Sequence, residues 1–303
     1  MRGTITAYLQ LVRLPNVLTA AADSLAGWLL VGGTLGEWDR WLPMAIASMI
    51  LYAAGTALND VFDMEIDREE RPGRPLPSGR ASYRTAAMLG GMGLTLAPAI
   101  AGASGSVVPS FVAAMLALVI FAYDVQVKRT YLGPVFMGAC RGLNLLMGMS
   151  AASEMGGPAA WLSALAYGVF VAGITVISRS ETHEGERQGV IGGLAILDLG
   201  LLGLAAAAMA HRWFPEMMTG RSPSLLAGLV VIGLIAALVN RAAWIAIRDP
   251  QPRTIQRTVK TGILSLVWLN VGLVAAVRGI EPAAAVAVFW VPAYLLGRWL
   301  YST

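Results

Sequence analysis

The apolar residues of this chain come in runs long enough to cross a lipid bilayer, and nothing else constrains its fold as strongly. A helix that spans the hydrocarbon needs about 20 mostly apolar residues. Such runs lie at approximately 8–33, 42–62, 84–102, 107–123, 131–152, 158–178, 189–211, 223–247, 257–277 and 282–301. Inside a bilayer no water is present to satisfy backbone N–H and C=O groups, so each run has to be a helix bonded within itself. The expectation is an all-α polytopic membrane protein of ten candidate spans, read as one unit over 1–303. Composition excludes the soluble alternatives. The chain is 56% hydrophobic and 13% charged, where a soluble domain carries about a quarter charged residues. Its 303 residues would allow two soluble domains, but no polar stretch is long enough to be one. Cys140 is the one cysteine, so no internal disulfide can form. The first run has no small-residue cleavage site after a short apolar core, and is expected to be a retained helix.

Charge orients the spans. Cytoplasmic loops of membrane proteins collect Lys and Arg. One set of alternate loops holds Arg68, Arg71, Arg74, Arg80 and Arg84, then Lys128 and Arg129, then Arg179 and Arg187, then Arg241, Arg248, Arg253, Arg257 and Lys260. The opposite set holds only Arg40, Arg212, Arg221 and Arg278. This places the N-terminus and residues 60–84, 124–130 and 179–188 on the cytoplasmic side of a cell (inner) membrane. The net charge of +4 then reflects loop chemistry, and a nucleic-acid partner is not expected. Gly90-Gly91-Met92-Gly93 and Gly192-Gly193 are expected to be helix-packing surfaces. Pro15, Pro98 and Pro134, in or at the ends of spans, are expected to kink them.

The chemistry gathers in residues 59–80, directly after the second apolar run: Asn59-Asp60-Val61-Phe62-Asp63-Met64-Glu65-Ile66-Asp67-Arg68-Glu69-Glu70-Arg71-Pro72-Gly73-Arg74-Pro75-Leu76-Pro77-Ser78-Gly79-Arg80. Asn59, Asp63 and Asp67 are spaced by four, so a continuing helix stacks them on one face with Asp60 beside them. Those carboxylates repel each other unless a cation sits among them. Mg²⁺ takes oxygen ligands and usually bridges one or two carboxylates to phosphate. The arginines that follow have a planar fork that fits phosphate oxygens. Acids and then arginines at the mouth of an apolar helix suit a metal-bound diphosphate carrying an apolar tail.

Asn-Asp-x-x-Asp-x-x-x-Asp followed by Arg-Pro-Leu-Pro-Ser-Gly resembles the signature of the UbiA superfamily of intramembrane prenyltransferases, with further likeness from Leu14-Pro15-Asn16 to about residue 190. The resemblance implies nine helices around a central cavity, so one of the last four runs is expected to be short, re-entrant or an addition. It implies Mg²⁺ as cofactor, a polyprenyl diphosphate donor and a small acceptor. Asn59, Asp60, Asp63 and Asp67 become candidate metal ligands, and Asn59, Arg68, Arg74, Lys128, Arg129 and Arg141 candidate diphosphate contacts. Tyr123-Asp124-Val125-Gln126-Val127-Lys128-Arg129 is similar to the family's Tyr-x-x-x-x-Lys-Arg element, which makes Tyr123, Lys128 and Arg129 candidate catalytic residues beside Asp60, Asp63 and Asp67. Asn16 matches a family position near the cavity, and Asn144 lies one helical turn after Arg141.

The family's second acid motif is altered. Aligned on Glu184-Gly185-Glu186-Arg187, its three aspartate positions fall on Arg179, Thr182 and Glu186. Glu181, Glu184 and Glu186 are the acids left to hold a second metal ion, and Arg179 would repel one. Arg141 and Asp198 lie inside apolar runs, where a charge needs a partner; they are expected either to pair, or Arg141 to face the anionic substrate. Phe62, Tyr123, Phe170 and Trp268 are candidates to stabilise an allylic cation. Two alternatives to the transferase follow. One is a terpene cyclase of the same superfamily. The other is a non-enzymatic isoprenoid or metabolite binding or transport protein, because residues 138–144 and 174–181 also look similar to the EboC branch.

Overall fold

The computed structural model describes residues 2–182, 187–213 and 224–300, which are helix and turn throughout. Thirteen α-helices follow in chain order: α1 Arg2–Leu11, α2 Leu14–Leu30, α3 Trp38–Phe62, α4 Met64–Glu70, α5 Tyr83–Gly102, α6 Val108–Val125, α7 Gly133–Met149, α8 Pro158–Arg179, α9 Arg187–Trp213, α10 Leu225–Arg248, α11 Pro252–Arg278, α12 Ile280–Ala287 and α13 Trp290–Leu300. Short 3₁₀ turns cover Val127–Arg129 and Ser180–Thr182. Helix covers every apolar run. Among the described residues eight segments are long and apolar enough to cross a membrane. Helices α2 and α7 are shorter, at 17 residues each.

Two runs are broken, each for a local reason. The first becomes α1 and α2, split at Arg13, whose backbone is left-handed with φ 50° and ψ 52°. Pro15 has no N–H to give Leu11, so the ladder of α1 cannot continue. The last becomes α12 and α13, split at Val288 and Phe289. Pro15 and Pro134 occupy the first turns of α2 and α7, where a missing N–H costs nothing. They start helices and do not kink them; Pro98 does lie inside α5.

Successive helices pack side by side from α2 to α11, and α11, α12 and α13 return against α2, which closes the bundle. The approach of α2 to α7 depends on glycine. A Cβ on Gly148 would collide with the Ser24 carbonyl, and one on Gly27 with the Leu145 carbonyl. Of the predicted packing glycines, Gly90 and Gly93 seat α5 on α3, and Gly193 seats α9 on α8. Gly91 and Gly192 face open space. Outward faces remain apolar, as on α10, where Leu226, Val230, Leu234 and Leu238 are exposed at a spacing of four. That is the lipid-facing stripe of a membrane helix. Trp28, Tyr167 and Phe170 fill the interior.

Candidate functional site

Helices α2, α3, α6 and α7 line a partly open cavity of about 200 Å³. Leu51, Gly55, Leu116, Ile120, Met137 and Cys140 make its walls apolar. Arg13, Asn59, Tyr123 and Asp124 stand at one end; Ser48, Arg141 and Asn144 line the other. Ser48 and Asn59 are eleven positions apart on α3, about 16 Å along the axis at 1.5 Å per residue.

The predicted acid face survives a break in the helix. Helix α3 ends at Phe62 and α4 begins at Met64, with Asp63 at the junction. Backbone bonds still run from Asp63 N–H to the Asn59 carbonyl (3.0 Å) and from Asp67 N–H to the Asp63 carbonyl (2.8 Å). The helical spacing is therefore kept. The cations among the carboxylates are side chains of the protein. Asp63 pairs with Lys128 at 2.7 Å and with Arg129 at 3.3 Å. Arg74 pairs with Asp67 at 2.6 Å and lies 3.5 Å from Asp60. Arg13 also lies 3.5 Å from Asp60. The Arg-Pro-Leu-Pro-Ser-Gly loop is thus tied to the acids by its own first arginine. Arg80 then ties the loop to α1, donating to Gln10 Oε1 at 3.0 Å.

Lys128 is held in place from the sixth span. Arg179, aligned with an acid in the family motif, donates to the backbone carbonyls of Lys128 (2.9 Å) and Thr130 (2.7 Å). It braces the turn that carries Lys128, and is not simply a charge opposed to a cation. The ends of α3, α6 and α8 therefore lie at one end of the bundle, as their charges predict. Glu181 is near Arg71 and Gln256; burial pushes its carboxyl up, against the opposing pull of Arg71 and the hydrogen bond to Gln256. Glu184 and Glu186 lie outside the described residues.

At the far end the expected pairing of Arg141 with Asp198 does not occur. Arg141 Nη1 donates to Asp23 Oδ2 at 2.6 Å, and Nη2 to Thr19 at 3.2 Å. Asp198 accepts from Asn240 at 2.7 Å. Asp23 is fully buried and accepts three more bonds: Tyr167 (2.6 Å) and Asn270 (2.8 Å) on Oδ1, and Asn144 (3.3 Å) on Oδ2. Four donors saturate the four lone-pair directions of a carboxylate. The guanidinium stacks over Tyr52, 5.0 Å from the ring centroid. Ser48 donates to Asn144 Oδ1 at 2.7 Å. With Asp23 as its counter-ion, Arg141 gives the cavity a polar floor with no net charge.

Other expectations are corrected by position. Arg68 faces outward and pairs with Glu65 on its own short helix, one turn away, and is not a cavity residue. Asn16 is not among the residues lining the cavity; Arg13, one turn earlier, is. Of the four aromatic candidates only Tyr123 lines the cavity. Phe62 meets Phe121 edge-on, Phe170 is buried in the core, and Trp268 packs on Trp290. Sequence reasoning missed Arg13, Asp23, Tyr52 and Asp124. Asp23 was the most legible of them, as an acid inside the first apolar run.

No three Asp, Glu, His or Cys side chains gather closely enough among the described residues to hold a metal unaided. Mg²⁺ usually takes one or two carboxylates and completes its shell with water and phosphate. Asp124 Oδ2 is a buried carboxylate oxygen without a hydrogen-bond partner, and Asn59 stands beside Asp124; Asp60 Oδ1 also lacks a hydrogen bond but lies 3.5 Å from both Arg13 and Arg74. The oxygens of Asp124 and Asn59 fit a hard cation shared with a diphosphate.

The UbiA prenyltransferase family model matches residues 22–266. The chain belongs to the UbiA prenyltransferase family. It is therefore a multi-pass membrane protein whose enzyme class is that of the prenyltransferases. The digeranylgeranylglyceryl phosphate synthase of Ignicoccus hospitalis is 31% identical over 261 residues, 82% of this chain and 84% of the relative. Its namesake in Methanopyrus kandleri is 29% identical over 85% of this chain and 95% of the relative. Among solved structures, a UbiA homologue from Aeropyrum pernix superposes with a TM-score of 0.60, at 22% identity over 85% of this chain and 96% of its own. One from Archaeoglobus fulgidus, bound to GPP and Mg²⁺, gives 0.59 at 14% identity, over 88% of this chain and 99% of its own.

Proposed function

We propose that the protein transfers a prenyl group from a polyprenyl diphosphate to a small acceptor in the cavity between α2, α3, α6 and α7. The observation that carries this reading is the arrangement of the cavity. Arg13, Asn59 and Asp124 line its mouth with apolar walls behind them, and the ion pairs of Asp60 and Asp63 adjoin them through Arg13 and the turn after Asp124. We further propose that the chain works as a single unit over 1–303, with that mouth on the cytoplasmic side of the cell membrane.

Lys128, Arg129, Arg74 and Arg13 hold the diphosphate by trading their carboxylate partners for phosphate oxygens. Asn59, Asp60, Asp63 and Asp67 would hold Mg²⁺, which would offset the charge that builds on the leaving diphosphate. The electrostatic stabilisation supplied by fixed cations is worth most where water is excluded. Cleavage of the allylic C–O bond leaves diphosphate and an allylic cation against Leu51, Ile120, Met137 and the face of Tyr123. The acceptor's nucleophile adds to that cation, and its proton passes to the departing diphosphate. Arg141, Asn144 and Ser48 meet the far end of whatever fills the cavity. The names of the Ignicoccus and Methanopyrus relatives, and the GPP and DMAPP bound by Archaeoglobus homologues, support a prenyl diphosphate donor.

The test is to incubate purified protein in nanodiscs with Mg²⁺, prenyl diphosphates of graded length and a lipid extract, and to analyse the products by mass spectrometry. A prenylated acceptor is the expected result. A product built from donor alone means a cyclase. Tight donor binding without turnover overturns the enzymatic reading in favour of binding or transport.

A further inference from the structure

We propose that Asp124 is a further ligand of the divalent cation in this cavity, supplying a carboxylate from α6 where the stretch 178–187 keeps an acid at only one aligned position. This rests on the Mg²⁺–diphosphate reading above. Asp124 is the penultimate residue of α6. It is 3% exposed and lines the cavity. Its Oδ1 accepts from Asn59 Nδ2 at 3.1 Å, while its Oδ2 is buried with no hydrogen-bond partner.

The neighbouring acids differ in this respect. Asp60, Asp63 and Asp67 each have an arginine or lysine within 3.5 Å. Among the described residues no basic side chain pairs with Asp124. Lys128, one turn further on, is taken by Asp63 at 2.7 Å. A carboxylate removed from water and left half-satisfied is strongly disfavoured. If Asp124 served only to orient Asn59, one oxygen would suffice, and a neutral asparagine or serine would do it without burying a charge. The second oxygen is the part that a positioning role leaves unexplained, and a hard cation explains it.

The chemistry of the pair agrees. Asn59 donates through its amide nitrogen, so the carbonyl oxygen is the atom it offers to a cation. Asp124 and Asn59 then present oxygen donors from two adjacent helices. One or two carboxylates, an amide oxygen, water and substrate phosphate make the usual Mg²⁺ shell.

The experiment measures metal binding directly, by Mn²⁺ electron paramagnetic resonance, with a slowly reacting prenyl thiodiphosphate present. Asp124→Asn is nearly isosteric and still accepts from Asn59. It should weaken Mn²⁺ binding by about 10- to 100-fold, the loss seen when even a partner of a metal ligand is removed. A second variant, Asp124→Cys in a Cys140→Ala background, should shift the preference from Mn²⁺ towards Cd²⁺, because thiolate is a soft ligand. A merely structural role would leave metal preference unmoved. Wild-type affinity in Asp124→Asn overturns the inference, and so does a folded Asp124→Cys without preference for Cd²⁺. Should Asp124→Asn lose its fold, the cadmium preference decides. Wild-type protein that binds no Mn²⁺ even with the thiodiphosphate refutes the proposed function as well; wild-type binding with an unaffected Asp124→Asn refutes only the role of Asp124.

Discussion

Replacing Asp23 should destabilise the bundle more than any single change at the charged mouth. Asp23 is fully buried and is the counter-ion of Arg141 at 2.6 Å. Asp23→Asn preserves size and removes the charge. Breaking a buried ion pair by removing one partner costs about 3–5 kcal/mol, because the other charge is left uncompensated. Tyr167 and Asn270 both donate to the same carboxylate, and an orphaned buried donor costs about 1–3 kcal/mol. These terms share one residue and do not simply add, so a loss of about 3–5 kcal/mol is expected. Adding Arg141→Met to Asp23→Asn removes the stranded cation and should recover about half of that loss, although the double variant has lost one more polar side chain. The assay is reversible unfolding in mixed micelles by SDS titration, followed by circular dichroism and analysed as a double-mutant cycle. The reasoning is refuted if Asp23→Asn stays within about 1 kcal/mol of wild type, or if the double variant is less stable than the single.

Four other outcomes can be checked. Lys128→Met removes a charged donor from the Asp63 junction, and should weaken diphosphate binding about 10- to 150-fold, equivalent to about 1.5–3 kcal/mol, measured by calorimetry. Arg74→Gln, which frees Asp67 and leaves Asp60 with Arg13 alone, should impair the same binding, whereas Arg68→Gln should not, since exposed pairs contribute about 0–1 kcal/mol; equal effects would refute this assignment. Gly148→Ala should lower stability by about 1–3 kcal/mol through overpacking against α2, while Gly91→Ala, with nothing within 4 Å, should be neutral in the same unfolding assay. Ser78→Cys, in a background lacking Cys140, should resist a membrane-impermeant thiol reagent in intact cells; labelling from outside would reverse the proposed orientation.

The spans and the acid stretch were legible because both are local. A run of twenty apolar residues has one stable backbone state in lipid, and a spacing of four places Asn59, Asp63 and Asp67 on one side even though α3 ends at Phe62. The lysine–arginine element was legible for the same reason. Arg13 and Asp124 were within sight, each beside a recognised motif, but the residues next to them in sequence do not reveal what they meet. Arg13 reaches Asp60 because its left-handed backbone turns α1 away from α2.

Which charges meet was decided only by tertiary structure. Arg141 had two candidate fates from sequence; it does not pair with Asp198, and it lines the cavity with another acid as its counter-ion. Its partner, Asp23, is 118 positions away on α2, brought into reach because Gly27 and Gly148 let α2 and α7 approach closely. Arg179 changed meaning in the same way, from a charge that disrupts an acid motif to the brace of the turn carrying Lys128. Sequence by itself determined which segments are helical and which residues share a face, since those follow from the helical repeat and the absence of water. It could not determine partners between helices. In a bundle whose helices are all apolar, hydrophobic burial does not distinguish one neighbour from another, and the pairing of buried polar groups depends on rotations and crossings that small residues permit only once the helices are packed.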